Sequence, residues 1–302
     1  MPADSVRKVA VFGLGSMGYG MARSLLRAGH VVHGFDLVPE AMASFGAEGG
    51  SSGELADIAP DLDAVVIVVL NADQTESVLF GDSGVVPMLR SGAVVVSCAT
   101  VPPDFARDMA AACEAHQILY LDAPISGGSV KAAAGQLSIM ASGSRASFDA
   151  AAPILDATAE SVFTMGDAPG AGSVMKVVNQ LLAGVHIATM AEAITFGMKQ
   201  GLEPDRFLEV ISKCAGTSWM LENRAPHIIE GDYTPHSQID IWLKDLGIVL
   251  DIAKANKFSA PITATALQQY VAASGMGLGR EDDAAIAKLY ARNSGLDLPG
   301  EV

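Results

Sequence analysis

The segment Val9-Ala10-Val11-Phe12-Gly13-Leu14-Gly15-Ser16-Met17-Gly18 constrains this chain more than any other. An apolar, β-rich run leads straight into three glycines spaced G-x-G-x-x-G, and a helix-compatible stretch over 16–28 follows. Each glycine has a separate task. Gly13 permits a tight turn, Gly15 lets a pyrophosphate approach the backbone, and Gly18 lets the helix pack close against the strand. The helix N-terminus adds unpaired N–H groups that favour an anion. Leu14, Ser16 and Met17 share this turn and count with the glycines as expected dinucleotide contacts. A second strand over 31–35 ends at Asp36, whose carboxylate can accept hydrogen bonds from ribose hydroxyls and would repel a 2′-phosphate. Leu37 and Val38, rather than an arginine, stand next to it, so NAD is expected over NADP.

Further β-rich runs over 64–70, 93–97, 118–122, 137–141 and 161–165 alternate with helical patterns such as 103–116 and 147–157. Strands that are apolar throughout are buried on both faces, which predicts an α/β fold with a doubly wound, mostly parallel sheet. Beyond Pro169 and Gly170 the strand pattern stops. A long helix is expected over about 173–200, leading into an all-helical second half. The expected domains are therefore a dinucleotide-binding domain over 1–169 and a helical domain over 170–302. With 34 acidic against 19 basic residues the formal charge is -15, which argues against nucleic acid and anionic lipid as partners and favours small molecules. The longest apolar run noted, 64–70, is too short to span a bilayer. The polar start of the chain has no apolar core of a secretory signal, so a cytoplasmic location is expected. Cys98, Cys113 and Cys214 have no C-x-x-C spacing, so they are expected to be reduced, buried thiols, and no metal site is expected.

Several segments carry candidate chemistry. Asp122-Ala123-Pro124-Ile125-Ser126-Gly127-Gly128 follows a strand and combines a hydroxyl with two glycines, a pattern suited either to holding a carboxylate on backbone N–H groups or to an ordinary turn. On the long helix Lys176 is followed three and four positions later by Asn179 and Gln180, which places one cation and two amides on one face. The apolar residues flanking Lys176 predict a desolvated amine suited to proton transfer. Asn71 and Thr100 follow strands at the positions where doubly wound folds meet ligands, although either also suits a helix cap. Lys244-Asp245 interrupts an apolar helical pattern, as an internal ion pair or a functional pair.

In order and spacing these motifs resemble the β-hydroxyacid dehydrogenase family, whose members include 3-hydroxyisobutyrate dehydrogenases and tartronate semialdehyde reductases, over nearly the whole chain. Residues 179–188, 218–224 and 231–235 are similar to members acting on four-carbon sugar acids. The resemblance implies a Rossmann domain, a long interdomain helix, and a homodimer or homotetramer. It gives Lys176 the role of general acid/base, Ser126, Gly127 and Gly128 that of substrate-carboxylate site, Asn179 and Gln180 that of substrate contacts, and Thr100 and Lys244 that of cofactor contacts. Two positions depart from the family pattern: Gln180 stands where a second asparagine is usual, and Ala99 where serine is usual before Thr100. The expected reaction is NAD-dependent oxidation of a small sugar acid to its 2-oxo acid by hydride transfer. Alternatives are 3-hydroxyisobutyrate oxidation, tartronate or succinic semialdehyde reduction, and an NAD-binding sensor without turnover.

Overall fold

The computed structural model describes residues 6–51 and 53–300. These fall into two compact units, one ending at Lys176 and the other beginning at Val177. The first holds strands β1 (Lys8–Phe12), β2 (Val31–Phe35), β3 (Ala64–Ile67), β4 (Val94–Ser97), β5 (Leu119–Asp122), β6 (Ile125–Ser126), β7 (Leu137–Ser142) and β8 (Ala159–Gly166). Helices α1 (Gly18–Arg27), α2 (Pro39–Ala47), α3 (Leu55–Ile58), α4 (Ala72–Phe80), α5 (Pro103–Ala115), α6 (Gly128–Ala134) and α7 (Arg145–Thr158) connect them. The strands form one sheet in the order β2-β1-β3-β4-β5-β7-β6, with β8 also paired to β7. From β2 to β5 every pairing is parallel, whereas β7 runs antiparallel to β5 and β6.

Strand periodicity explains the two-faced core. Val9, Val11, Ala64, Val66, Val94 and Val96 enter one buried cluster, together with Met21 and Leu25 of α1. Their neighbours Ala10, Phe12, Val65, Ile67 and Val95 enter the other, together with Met109 and Cys113 of α5. Successive residues point to opposite faces of a strand, so apolar runs without alternation demand helices on both sides of the sheet.

The second unit is helical, as its sequence predicts. It contains most of α8 (Ala171–Lys199) and α9 (Pro204–Ile211), α10 (Trp219–Glu230), α11 (Ile239–Ala255), α12 (Pro261–Ala273) and α13 (Ile286–Ser294). Ile187, Met190 and Ile194 of α8 pack in one cluster with Leu221 and Ile228 of α10, Trp242 and Leu246 of α11, and Tyr270 of α12. Gly184 marks the close approach of α8 and α11, since a Cβ there would lie 2.9 Å from both Trp242 and Leu246.

The units divide inside α8 at Lys176 rather than at 169/170, because the first turn of α8 is hydrogen-bonded to the sheet. By length and composition α8 is also apolar enough to cross a membrane, a feature that an inspection restricted to continuous apolar runs overlooks. Its Ile187, Met190, Ala191 and Ile194 instead fill the helical core.

Candidate active site

The candidate residues of the sheet unit follow the carboxyl ends of five consecutive parallel strands. Gly13 to Gly18 follow β1, Asp36 follows β2, Asn71 β3, Thr100 β4, and the Asp122 loop ends β5. Since β1 lies between β2 and β3, the chain winds away from it in both directions, and this reversal opens a crevice at the strand ends where open α/β sheets bind ligands.

The three glycines of the turn differ in what the fold demands of them. Gly13 has φ +93°, and a Cβ there would meet the Val68 carbonyl oxygen at 2.4 Å. At Gly18 an added Cβ would lie 1.8 Å from the Gly13 oxygen. Among the described residues nothing beyond its chain neighbours lies within 4 Å of a Cβ built at Gly15, so protein packing does not require this glycine, while its bare backbone leaves space for a ligand. A groove of about 500 Å³ opens there, lined by Leu14, Gly15, Ser16, Tyr19 and Arg23 among others. Asp36 accepts from the Leu14 N–H at 2.6 Å and from the Val38 N–H at 2.8 Å, which ties the turn to the end of β2. Turn, groove and carboxylate together suit a dinucleotide. Asn71 caps α4, its side chain accepting from the Gln74 N–H at 2.8 Å.

At the end of β5 the loop makes a short strand, β6, and then enters α6; the glycine-rich segment is therefore more than a plain turn. Gly127 and Gly128 have φ +135° and +79°, left-handed geometry that side-chain-bearing residues rarely adopt. Ser126 is held in the sheet by pairing with Ser138. Lys176, only 8% exposed, donates from Nζ to the Ile125 carbonyl at 2.8 Å. The amine thus stands beside the residue that precedes Ser126. The Ile125 carbonyl helps to fix where its nitrogen sits, while the flanking Val174, Met175 and Val178 are exposed and do not enclose it as the sequence pattern suggests. Cys98, near the end of β4, offers no nucleophile, since burial and the neighbouring Asp122 push its thiol up to about 12.

Asn179, Gln180 and Lys244 form a separate cluster in the helical unit. The Asn179 amide donates to Gln180 Oε1 at 3.0 Å, and the Gln180 amide donates to Asp245 Oδ2 at 2.5 Å. Lys244 Nζ lies 2.6 Å from the other oxygen of Asp245, which is 2% exposed. The extra methylene of glutamine in place of asparagine thus reaches a buried carboxylate. Cys98 and Cys113 are buried as expected, whereas Cys214 is exposed.

Sequence reasoning missed two groups. Asp122, Ser142 and Ser173 form a buried network at the start of α8, which the loop motif signalled only by containing Asp122. In the helical unit Asp282 and Asp283, both fully buried, meet His227 and Arg224; they lie in the charged run Arg280-Glu281-Asp282-Asp283, which reads as a solvated turn and gave no signal of burial.

Residues 8–166 match the family described as the NAD binding domain of 6-phosphogluconate dehydrogenase. Residues 170–290 match that described as NAD-binding of NADP-dependent 3-hydroxyisobutyrate dehydrogenase. The chain is 47% identical to an L-threonate dehydrogenase of Cupriavidus necator, over 98% of this chain and 99% of the relative. It is 45% identical to an L-threonate dehydrogenase of Escherichia coli K12, over 99% of both chains. A crystal structure of 3-hydroxyisobutyrate dehydrogenase from Salmonella typhimurium superposes with a TM-score of 0.89 at 47% identity, covering 94% of this chain and 99% of that one.

Proposed function

We propose, for a chain that belongs to the 3-hydroxyisobutyrate dehydrogenase-like family, that its reaction is NAD-dependent oxidation of L-threonate at the C2 hydroxyl to the 2-oxo acid. Membership makes it a nicotinamide-dependent dehydrogenase of a small hydroxy acid. L-threonate is taken from the names of relatives at 43–47% identity. The observation that carries the chemistry is the buried Lys176 amine, held on the Ile125 carbonyl immediately before Ser126.

A neutral amine has two N–H bonds and one lone pair. As the free base, Lys176, which donates an N–H to the Ile125 carbonyl, would take the proton of the substrate hydroxyl as the C–H bond breaks. Bound nicotinamide supplies the hydride acceptor. In the reverse direction the ammonium stabilises the oxygen that gains charge. Ser126 and the backbone N–H groups of Gly127 and Gly128 would anchor the substrate carboxylate, which fixes the carbon presented for oxidation. The family resemblance would make Asn179 a contact of the sugar hydroxyls; its amide donates to Gln180, and the contact of Gln180 with Asp245 gives Gln180 an orienting role. Gly13 to Gly18, Asn71 and Thr100 would hold the dinucleotide, and the family resemblance would make Lys244 a further cofactor contact. Asp36 supports NAD, because a 2′-phosphate would face its carboxylate; the matched family description that names NADP makes this the point to test.

The exposed side chains of Val174, Val178 and Leu182 recur every fourth residue along α8 and support a homodimer or homotetramer, checked by sedimentation. A cytoplasmic location agrees with three free cysteines and is checked by cell fractionation.

The test is NADH formation from L-threonate, D-erythronate, D-threonate, 3-hydroxyisobutyrate and glycerate, each with NAD and NADP. Selective turnover of L-threonate with NAD is expected. A preference for 3-hydroxyisobutyrate, the substrate named for the Salmonella structure, would replace the substrate assignment, and efficient use of NADP would overturn the role of Asp36.

A further inference from the structure

The start of α8 is capped in an unusual way. A helix leaves its first N–H groups without intrahelical partners, and a side chain at the flanking position normally accepts from them. Here the flanking residue is Gly170, which has no side chain, and the acceptor comes from far back in the chain. Asp122 Oδ2 accepts from the Gly170 N–H at 2.9 Å and the Ser173 N–H at 2.8 Å. Its Oδ1 accepts from the Ser173 hydroxyl at 2.7 Å. Ser142 accepts from the Gly172 N–H at 2.9 Å and donates its own proton to Asp122 Oδ2 at 3.2 Å. Asp122, Ser142 and Ser173 are each at most 1% exposed.

The sheet builds this cap. Asp122 and Ser142 are partners across the antiparallel join of β5 and β7, so the two acceptors that face the helix end are fixed by strand register. Gly172 lies so close that a Cβ there would stand 2.3 Å from the Met140 carbonyl oxygen. At Gly172 the backbone of α8 thus packs directly against that of β7. Three residues after Asp122 the same loop presents the Ile125 carbonyl, and three residues after Ser173 the helix presents Lys176. The two meet at 2.8 Å.

We infer that Asp122 is the positioning residue of the active site: by capping α8 it fixes the start of the helix relative to its own loop, and so sets Lys176 Nζ beside Ser126. This rests on Lys176 being the base. A carboxylate also suits the positive end of a long helix, but fixed geometry is what the reaction uses, since misplacing a catalytic group by about 1 Å can cost about 100-fold in rate.

The experiment measures kcat, KM and NAD affinity for Lys176→Ala, Asp122→Ala, the double variant and Asp122→Asn, on whichever hydroxy acid the wild type oxidises fastest, below the melting temperature of each. Asp122→Ala should lower kcat about 10- to 100-fold while NAD affinity holds within about threefold. Asn can keep its oxygen towards the two backbone N–H groups and turn its amide to the Ser173 hydroxyl, so Asp122→Asn should restore most of kcat. Because Asp122 acts through Lys176, the double variant should be no slower than Lys176→Ala alone. A role confined to stability would instead leave kcat intact in folded Asp122→Ala, and that result overturns the inference, as does an additive double variant. Should Asp122→Ala not fold, Ser173→Ala and Ser142→Ala each remove one strut and should each lower kcat several-fold; unchanged kcat in both overturns the inference equally. Near-full turnover by Lys176→Ala would instead overturn the assignment of the base, a distinguishable result.

Discussion

Two buried carboxylate networks, one in each unit, are satisfied by opposite means. Around Asp122 every donor is neutral: two backbone N–H groups and two serine hydroxyls. In the helical unit Asp283 receives the Arg224 guanidinium at 2.5 Å and the Trp242 indole N–H at 3.0 Å, while Asp282 accepts from the His227 ring at 2.9 Å and from the backbone N–H groups of His236 and Ala284. Dipoles fixed by strand register hold a group in place without a titrating partner. Ion pairs fasten α10 to residues 282–283, with the Trp242 hydrogen bond adding α11, but they carry the desolvation cost of two charges and fail badly when one is removed. The first arrangement suits placement of a reacting group, the second suits tying a domain.

The largest effect that tests this contrast is expected from Arg224→Met. It leaves Asp283 buried without its counter-charge, a loss of about 3–5 kcal/mol. Both tryptophans, Trp219 and Trp242, lie in the helical unit, so their fluorescence during urea unfolding reports that unit directly. A midpoint close to wild type would mean that the pair ties nothing.

Next in size is a comparison within the glycine turn. Gly15→Ala should weaken NAD binding about tenfold, roughly 1.4 kcal/mol, at nearly unchanged melting temperature. Gly18→Ala should lower the melting temperature, because its Cβ collides with the Gly13 carbonyl. Equal melting curves for the two would contradict the division of tasks between these glycines.

The smallest effect is a pH dependence of the helical unit. The hydrogen bond that His227 donates to Asp282 raises the His227 pKa above its usual value, against an opposing cost of burial. A raised histidine pKa contributes stability that is fully present below the unfolded value of about 6.5 and is lost as pH rises through the folded value. The tryptophan-detected midpoint should therefore fall through this window in the wild type, and His227→Gln should flatten it. An unchanged slope in that variant would assign the pH dependence to another group.

Much of this was legible in the sequence because local pattern and tertiary role coincide. The runs Lys8–Phe12 and Val31–Phe35 form strands: β1 is buried on both faces from Val9 to Phe12, and β2, at the edge of the sheet, keeps enough β-branched and aromatic residues to be read although it is only partly buried. The glycine turn, Asp36 and Lys176 were visible for a similar reason: each sits beside a strand or on a helix whose period announces it. Short elements were not. β6 has two residues and is defined by its pairing with β7, and α6 was hidden by the glycines that begin it. Least visible was the cap of α8, because Gly170 signals a break, while its true acceptor, Asp122, lies 48 positions away. Similarly, nothing in a helical pattern shows that Gln180 spends its amide on Asp245.

In the proposed reaction the C2 carbon of a sugar acid gives up hydride while Lys176 takes the hydroxyl proton. Incubating the wild type with NAD and L-threonate deuterated at C2 or, separately, at C3 tests it directly, with NADH mass as the readout. Deuterium should appear in NADH from the C2-labelled acid alone. Transfer from C3, or NADH formed without label from the C2-deuterated acid, would contradict the account.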